Sequence, residues 1–225
     1  MNKIKIIYDV AKKMKEKDSV KGILKAEGLK NQDKLFSMNN VFEKSIQGGQ
    51  IKGKTNIEVD CGGKKMKMEN SIDIQGGEGC CGHHNFMKHM HSCHHKGAHA
   101  AGLKEGMGRI TAALGILSSI KLNEQEDGSV ILTLESADIP EDIKTCIHEK
   151  MKNGCEGHKH IDTNQQHQMF MKEFHAMENV NFALNVFINK EHEVEKVTIN
   201  AAGEQKDEKD QMQEMKLTAD LSLEW

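Results

Sequence analysis

Aromatic side chains are scarce: a single Trp, a single Tyr and seven Phe stand among 225 residues. An interior built on stacked rings is therefore excluded, and 14 Met with many Ile, Leu and Val must fill an aliphatic, adaptable core instead. No surplus of either charge is present, since 31 basic and 34 acidic residues are mixed along the chain for a formal net charge of -3. A phosphate-binding surface needs clustered positive charge, so nucleic acid is not an expected partner. Long apolar runs are missing too. The best candidate, Ile110 to Ile120, falls far short of the roughly 20 residues that cross a bilayer. The N-terminus reaches Asp9 before any apolar stretch of signal-peptide length. With Met1 as the natural start, these absences point to a soluble, cytoplasmic protein, in which six cysteines would be thiols or metal ligands and not structural disulfides.

Catalytic signatures are likewise lacking. His148-Glu149 opens like a zinc-protease helix motif, but Lys152 stands where the second histidine is needed. Gly76-Gly77 does not lead from a strand into a helix as a phosphate loop must, and no Gly-x-Ser-x-Gly elbow occurs. There is also no Cys-x-x-Cys pair of the zinc-finger kind. The expectation is a binding protein and not an enzyme.

Periodicity supplies the architecture. Over residues 3 to 17, Ile4, Ile7, Tyr8, Ala11 and Met14 recur at helical spacing with lysines opposite, which predicts an amphipathic helix. From Gln50 to Asp60, Ile51, Gly53, Thr55, Ile57 and Val59 alternate with polar residues. From Lys65 to Ile74, Met66, Met68, Ile72 and Ile74 do the same. The intervening Cys61-Gly62-Gly63-Lys64 predicts a hairpin. Alternation returns at Val180 to Ile188, at Val194 to Ala201 after a turn at Lys190-Glu-His, and at Met215 to Trp225, a terminus that such a pattern places inside a sheet. Between these blocks, helices are predicted over Leu103 to Ser119 and Glu141 to Lys152, the second started by Asp138 and Pro140. A hairpin of Ile120 to Leu122 with Val130 to Leu134 turns at Glu126-Asp-Gly. Residues 165 to 178 fit a helix or a strand equally well.

This order lacks regular β-α-β alternation. It predicts one α+β domain over residues 1 to 225, with a large curved antiparallel β-sheet and helices packed on one face. A leading helix followed by a meander that a helical section interrupts resembles the half-barrel of LolA-type lipoprotein carriers. The hairpin at 50 to 74 and the final strands at 180 to 225 carry the likeness. That resemblance implies an apolar concavity for lipid. It does not imply the most distinctive segment of this chain.

Within the His/Cys-rich segment at 78 to 101, Cys80, Cys81, His83, His84, His89, His91, Cys93, His94, His95 and His99 lie inside twenty positions. Imidazole and thiolate hold zinc, nickel and copper, and a four-coordinate site needs only a subset of these groups. Met87 and Met90 add thioethers, which suit Cu(I). Were residues 85 to 101 helical, His91, His95 and His99 would share one side, with Cβ atoms about 5–6 Å apart, opposite Phe86, Met90 and Cys93. A second cluster holds Cys146, His148, Cys155, His158, His160 and His167, of which Cys155, His158 and His160 have workable ligand spacing. For either tract a solvated polar loop is the plainer alternative, with Cys146 a core residue beside Ile143 and Ile147. The leading expectation is an intracellular transition-metal-binding protein for storage, buffering, delivery or sensing, with zinc ahead of nickel and copper. The alternative is an apolar-ligand or protein-binding module on a concave antiparallel sheet, with Met66, Met68 and Met215 on its inner face.

Overall fold

The computed structural model describes residues 2–61, 63–74, 113–141, 143–145, 178–206 and 211–225. Helix α1 spans Lys3–Lys15. The Asn2 side chain accepts from the Ile4 amide at 3.0 Å to cap its first turn, and Lys12, Lys13 and Lys15 sit in the last turn, where the carbonyl end of the helix favours cations. Four strands follow: β1 (Ser19–Lys30), β2 (Asp33–Ser45), β3 (Ile51–Cys61) and β4 (Lys64–Ile74). Residues 113–119 and the described part of 141–145 are helical. Between them lie β5 (Lys121–Glu124) and β6 (Val130–Glu135), and β7 (Glu178–Ile188), β8 (Val194–Lys206) and β9 (Met212–Glu224) complete the chain.

All nine strands join one sheet in the order β4-β3-β2-β1-β9-β8-β7-β6-β5, and every neighbouring pair is antiparallel. Two meanders are thus sewn together by a single non-sequential pairing, β1 with β9, whose ladder runs from Lys21↔Glu224 to Lys30↔Met215. The C-terminal strand lies at the heart of the sheet, as its alternation predicted. The β3–β4 hairpin forms as expected, with Cys61 opposite Lys64 and Gly63 at φ +84°, a left-handed conformation that glycine adopts without strain. The β5–β6 hairpin also forms around Glu126-Asp127-Gly128.

Strands β1 and β2 carry little alternation in sequence, and the structure supplies the reason. The inward positions of β1 include Gly22, Ala26 and Gly28, and β2 has Asn39-Asn40 at its centre, so neither reads as a half-buried strand. Side-chain size from the neighbouring strand replaces what glycine omits. A Cβ on Gly22 would fall 2.3 Å from Phe42 Cζ, so the Phe42 ring occupies that space. Asn31 and Gln32, both at positive φ, turn the chain between the two strands.

Register sorts the side chains into two faces, because directly opposed residues point the same way. On one face an apolar row, Leu134, Leu184, Ile199, Ala219, Ala26, Met38, Ile57 and Met68, runs through eight strands, and the neighbouring row of that face turns polar at Asn40, Thr55 and Asn70. The other is polar, with Asn185, Thr198, Asp220, Lys25, Asn39, Asn56 and Glu69 in a comparable row. Helix α1 packs on the apolar face over the second meander. Ile6 and Val10 join Val130, Leu132, Ile188 and Val194 in a buried cluster flanked by Ile120, Leu122 and Leu223. The face of α1 is corrected from that expected. Ile6 is 1% exposed, whereas Ile4 and Tyr8 are 60% and 67% exposed, so the buried stripe runs through Ile6, Val10 and the half-buried Ile7 and Met14.

The cluster includes no residue of β1–β4. On that meander the same face carries Phe36, Met38, Phe42, Ile57 and Met68, all half-buried. Lys17 and Glu193 form an ion pair that ties the end of α1 to the β7–β8 turn. The Trp225 indole N–H donates to the Val194 carbonyl at 2.7 Å, anchoring the last residue over the core.

Candidate functional site

The thirteen residues singled out as metal ligands, Cys80, Cys81, His83, His84, His89, His91, Cys93, His94, His95, His99, Cys155, His158 and His160, lie outside the described residues, as do Cys146, His148 and His167. What is described is how their two segments are attached. Ile74 ends β4 at one edge of the sheet and Lys121 opens β5 at the opposite edge. The connection that carries the first cluster therefore joins edges separated by eight strand spacings, up to about 38 Å at ~4.8 Å each. The second cluster lies in the connection from β6 to β7, which are direct neighbours, and that connection departs through residues 136–145.

The described ends of the two segments touch. An ideal Cβ built on Gly115 would fall 2.3 Å from Ile143 Cδ1, so the backbone of 113–119 is in close contact with the second segment. Ser119 Oγ donates to the Asp138 carbonyl at 2.8 Å, beside the 3-10 turn Ser136–Asp138. Ile143 is 6% exposed. Lys3 Nζ donates to the carbonyls of Ser118 and Ile120 at 2.9 and 2.7 Å, which satisfies the carbonyl end of this helical stretch and fixes it beside α1. Lys121 lies between Glu135 and Asp138 at 2.7 and 2.8 Å; the hydrogen bonds it donates to Asp138, then to Glu135, raise its pKa above the ordinary lysine range. Its ammonium is held by two carboxylates and works as a staple, not as a base.

Among the described residues, no group of three or more His, Cys, Asp or Glu is arranged to hold a metal ion. Charged groups on the polar face satisfy one another instead. Lys54 pairs with Glu69, and Lys67 with Glu58 at 2.9 Å. Hydrogen bonding from Lys67 and its positive charge lower the Glu58 pKa, and the same carboxylate raises that of Lys67. A depression of about 520 Å³ lined by Lys25, Lys67, Glu27, Glu58 and Asp220 thus mixes lysines with a small excess of carboxylates. Asn56 also lines it, and its buried Oδ1 has no hydrogen-bond partner among the described residues.

Met66 and Met68, expected on the inner side of the sheet, do share the apolar face, opposite Val59 and Ile57. Met66 is 40% exposed at the sheet edge. Met215 is 4% exposed and packs inside, so it is a core residue and not a lining group. The apolar surface of β1 and β2 escaped sequence reasoning, although Phe36, Met38 and Phe42 at two- and four-residue spacing carried a trace of it. No helix among the described residues is long and apolar enough to cross a membrane. No protein-family model, curated protein or solved structure matches this chain.

Proposed function

We propose that this protein binds a transition-metal ion, zinc before nickel or copper, through the His/Cys-rich segment at 80 to 99, with Cys155, His158 and His160 contributing from the second cluster. The observation that carries the reading is the density of soft and borderline ligands, ten His and Cys within twenty positions. Support for a shared site comes from the close contact of Gly115 with Ile143, because the two segments that carry the clusters run side by side at their described ends. The sheet then acts as scaffold, and the chemistry belongs to its longest connections. Storage, buffering, delivery or sensing in a reducing compartment such as the cytosol fits thiols that must remain free to ligate.

Thiols ligate as thiolates and imidazoles as neutral rings, so protons compete with the metal. Affinity falls as pH drops through the histidine range. Equilibrium dialysis of zinc against the untagged chain, at roughly pH 7.5 and roughly pH 5.5, is expected to show strong binding at the higher pH and a large loss at the lower. A variant lacking residues 80 to 99 is expected to bind no stoichiometric metal. Undiminished binding by that variant would remove the tract from the site.

A second reading rests on a separate observation, the half-buried apolar face of β1–β4 beyond the reach of the α1 cluster. On that reading the sheet is concave, helices gather over its apolar side, and an acyl chain or apolar peptide lies against Phe36, Met38 and Met68. This is what the likeness to LolA-type carriers implies. A stoichiometric lipid in the native mass spectrum of the purified protein would favour it over the metal reading.

A further inference from the structure

Helix α1 carries two apolar stripes. The inner one, through Ile6 and Val10, is buried against the sheet. The outer one, Ile4, Tyr8 and Ala11, follows four- and three-residue spacing and is exposed, Ile4 at 60% and Tyr8 at 67%. Lys15 continues this outer stripe, and Lys5 and Lys12 run beside it, all three exposed. Among the described residues no carboxylate forms an ion pair with any of these three lysines. The sheet differs, since Lys21, Lys54, Lys67 and Lys196 each meet a carboxylate of a neighbouring strand. The acids on and just after the helix are turned aside: Asp9 is half-buried, and Glu16 reaches Lys13 at 4.0 Å. In a chain of net charge -3, Lys3–Lys15 thus holds five lysines and one carboxylate. Both ends of α1 are fixed to the protein, by Lys3 on the Ser118 and Ile120 carbonyls and by Lys17 on Glu193. Its outer face is therefore preformed, and docking it requires no folding.

We infer that the outer face of α1 docks on an anionic lipid bilayer, lying in the headgroup plane with Ile4 and Tyr8 inserted and Lys5, Lys12 and Lys15 against lipid anions. Charge complementarity selects this occupant. A second copy of the chain would set the same lysines against one another. A stable protein partner needs about 800 Å² of packed surface on each side, which two large apolar side chains on a convex helix do not supply. A bilayer needs only a few apolar side chains at headgroup depth together with cations, and a tyrosine suits that depth. The stripe from Ile4 to Lys15 is ~16 Å long at ~1.5 Å per residue, so the helix lies on the surface and does not span it.

The test is vesicle co-sedimentation of the full chain at roughly pH 7.5 in EDTA, where imidazoles are neutral and metal bridging does not contribute. Wild type is expected to bind vesicles containing roughly one-third phosphatidylserine, to ignore pure phosphatidylcholine, and to release in ~0.5 M salt. Replacing Lys5, Lys12 and Lys15 together by Gln should weaken binding by about a hundredfold, at about fivefold for each cation. Ile4→Gln with Tyr8→Gln should weaken it by about tenfold. Replacing the exposed sheet lysines Lys25, Lys44 and Lys52 by Gln changes the net charge equally and should leave binding within about twofold of wild type. Lysine acetylation of the unmodified sequence needs no variant: anionic vesicles should protect Lys5, Lys12 and Lys15 and leave Lys25, Lys44 and Lys52 reactive. Absence of binding to anionic vesicles would overturn the proposal and leave this face to an acidic protein. Equal binding to neutral vesicles, equal losses for the helix and sheet variants, no loss on changing Ile4 and Tyr8, or no selective protection of the α1 lysines would overturn it as well.

Discussion

Helix α1 offers a sharp test, because residues two positions apart occupy opposite environments. Ile6 is 1% exposed within the cluster that joins α1 to β6, β7 and β8, whereas Ile4 is 60% exposed. Ile6→Ala removes three carbons from that site; at ~0.8 kcal/mol for each buried carbon the transfer loss is about 2.4 kcal/mol. A residual cavity of about 50 Å³ at ~24 cal/mol per Å³ adds about 1 kcal/mol, for a total near 3.5 kcal/mol. For a chain of this size that corresponds to a drop in Tm of roughly 10 °C. Ile4→Ala should cost less than about 0.5 kcal/mol, as surface changes usually do. Urea unfolding followed by tryptophan fluorescence suits the measurement. The sole indole, Trp225, donates its N–H to Val194, which belongs to the same cluster as Ile6. Equal losses for the two variants, or a larger loss for Ile4→Ala, would refute this placement of the helix on the sheet.

Gly22→Val would drive its new side chain into the Phe42 ring, 2.3 Å from the Cβ position, and should cost about 1–3 kcal/mol; adding Phe42→Ala should recover part of it, measured by the same denaturation. Deleting residues 212–225 removes β9 from between β1 and β8 and is expected to abolish cooperative unfolding, in contrast to the mild effect of trimming a terminal edge strand. Lys17 and then Asn189 hydrogen-bond the Glu193 carboxylate and lower its pKa. The ion pair therefore stabilises the fold above the ordinary carboxylate pKa, and that contribution disappears as pH falls through the lowered folded value. Carboxyl NMR titration should find the Glu193 midpoint below the usual range, and Lys17→Met should move it upward. Gly115→Leu, which would force residues 113–119 away from Ile143, should weaken zinc binding if the two clusters share a site, while Ser71→Ala on β4 should leave it unchanged; competition with a chromogenic chelator measures both.

Local pattern determined much of this protein. The strict alternation of β3, β7 and β9 needs only that one side of each strand be buried, and Gly62-Gly63 and Asp127-Gly128 name their turns through backbone freedom alone. The ligand inventory at 80–99 is equally a property of the sequence, since imidazole and thiolate carry their chemistry wherever they lie. Tertiary structure decided the rest. Strands β1 and β2 exist because neighbouring strands supply what Gly22 and Asn40 lack, and the α1 face through Ile6 was chosen by where Leu132 and Ile188 stand, not by helical spacing, which suits Ile4 and Tyr8 as well. The pairing of β1 with β9 joins residues about as distant in the chain as it allows, and no periodicity within either strand encodes its partner. The contact of Gly115 with Ile143, on which a shared metal site depends, is of the same kind. Periodicity reports which side of an element is buried; only the assembled sheet determines what buries it.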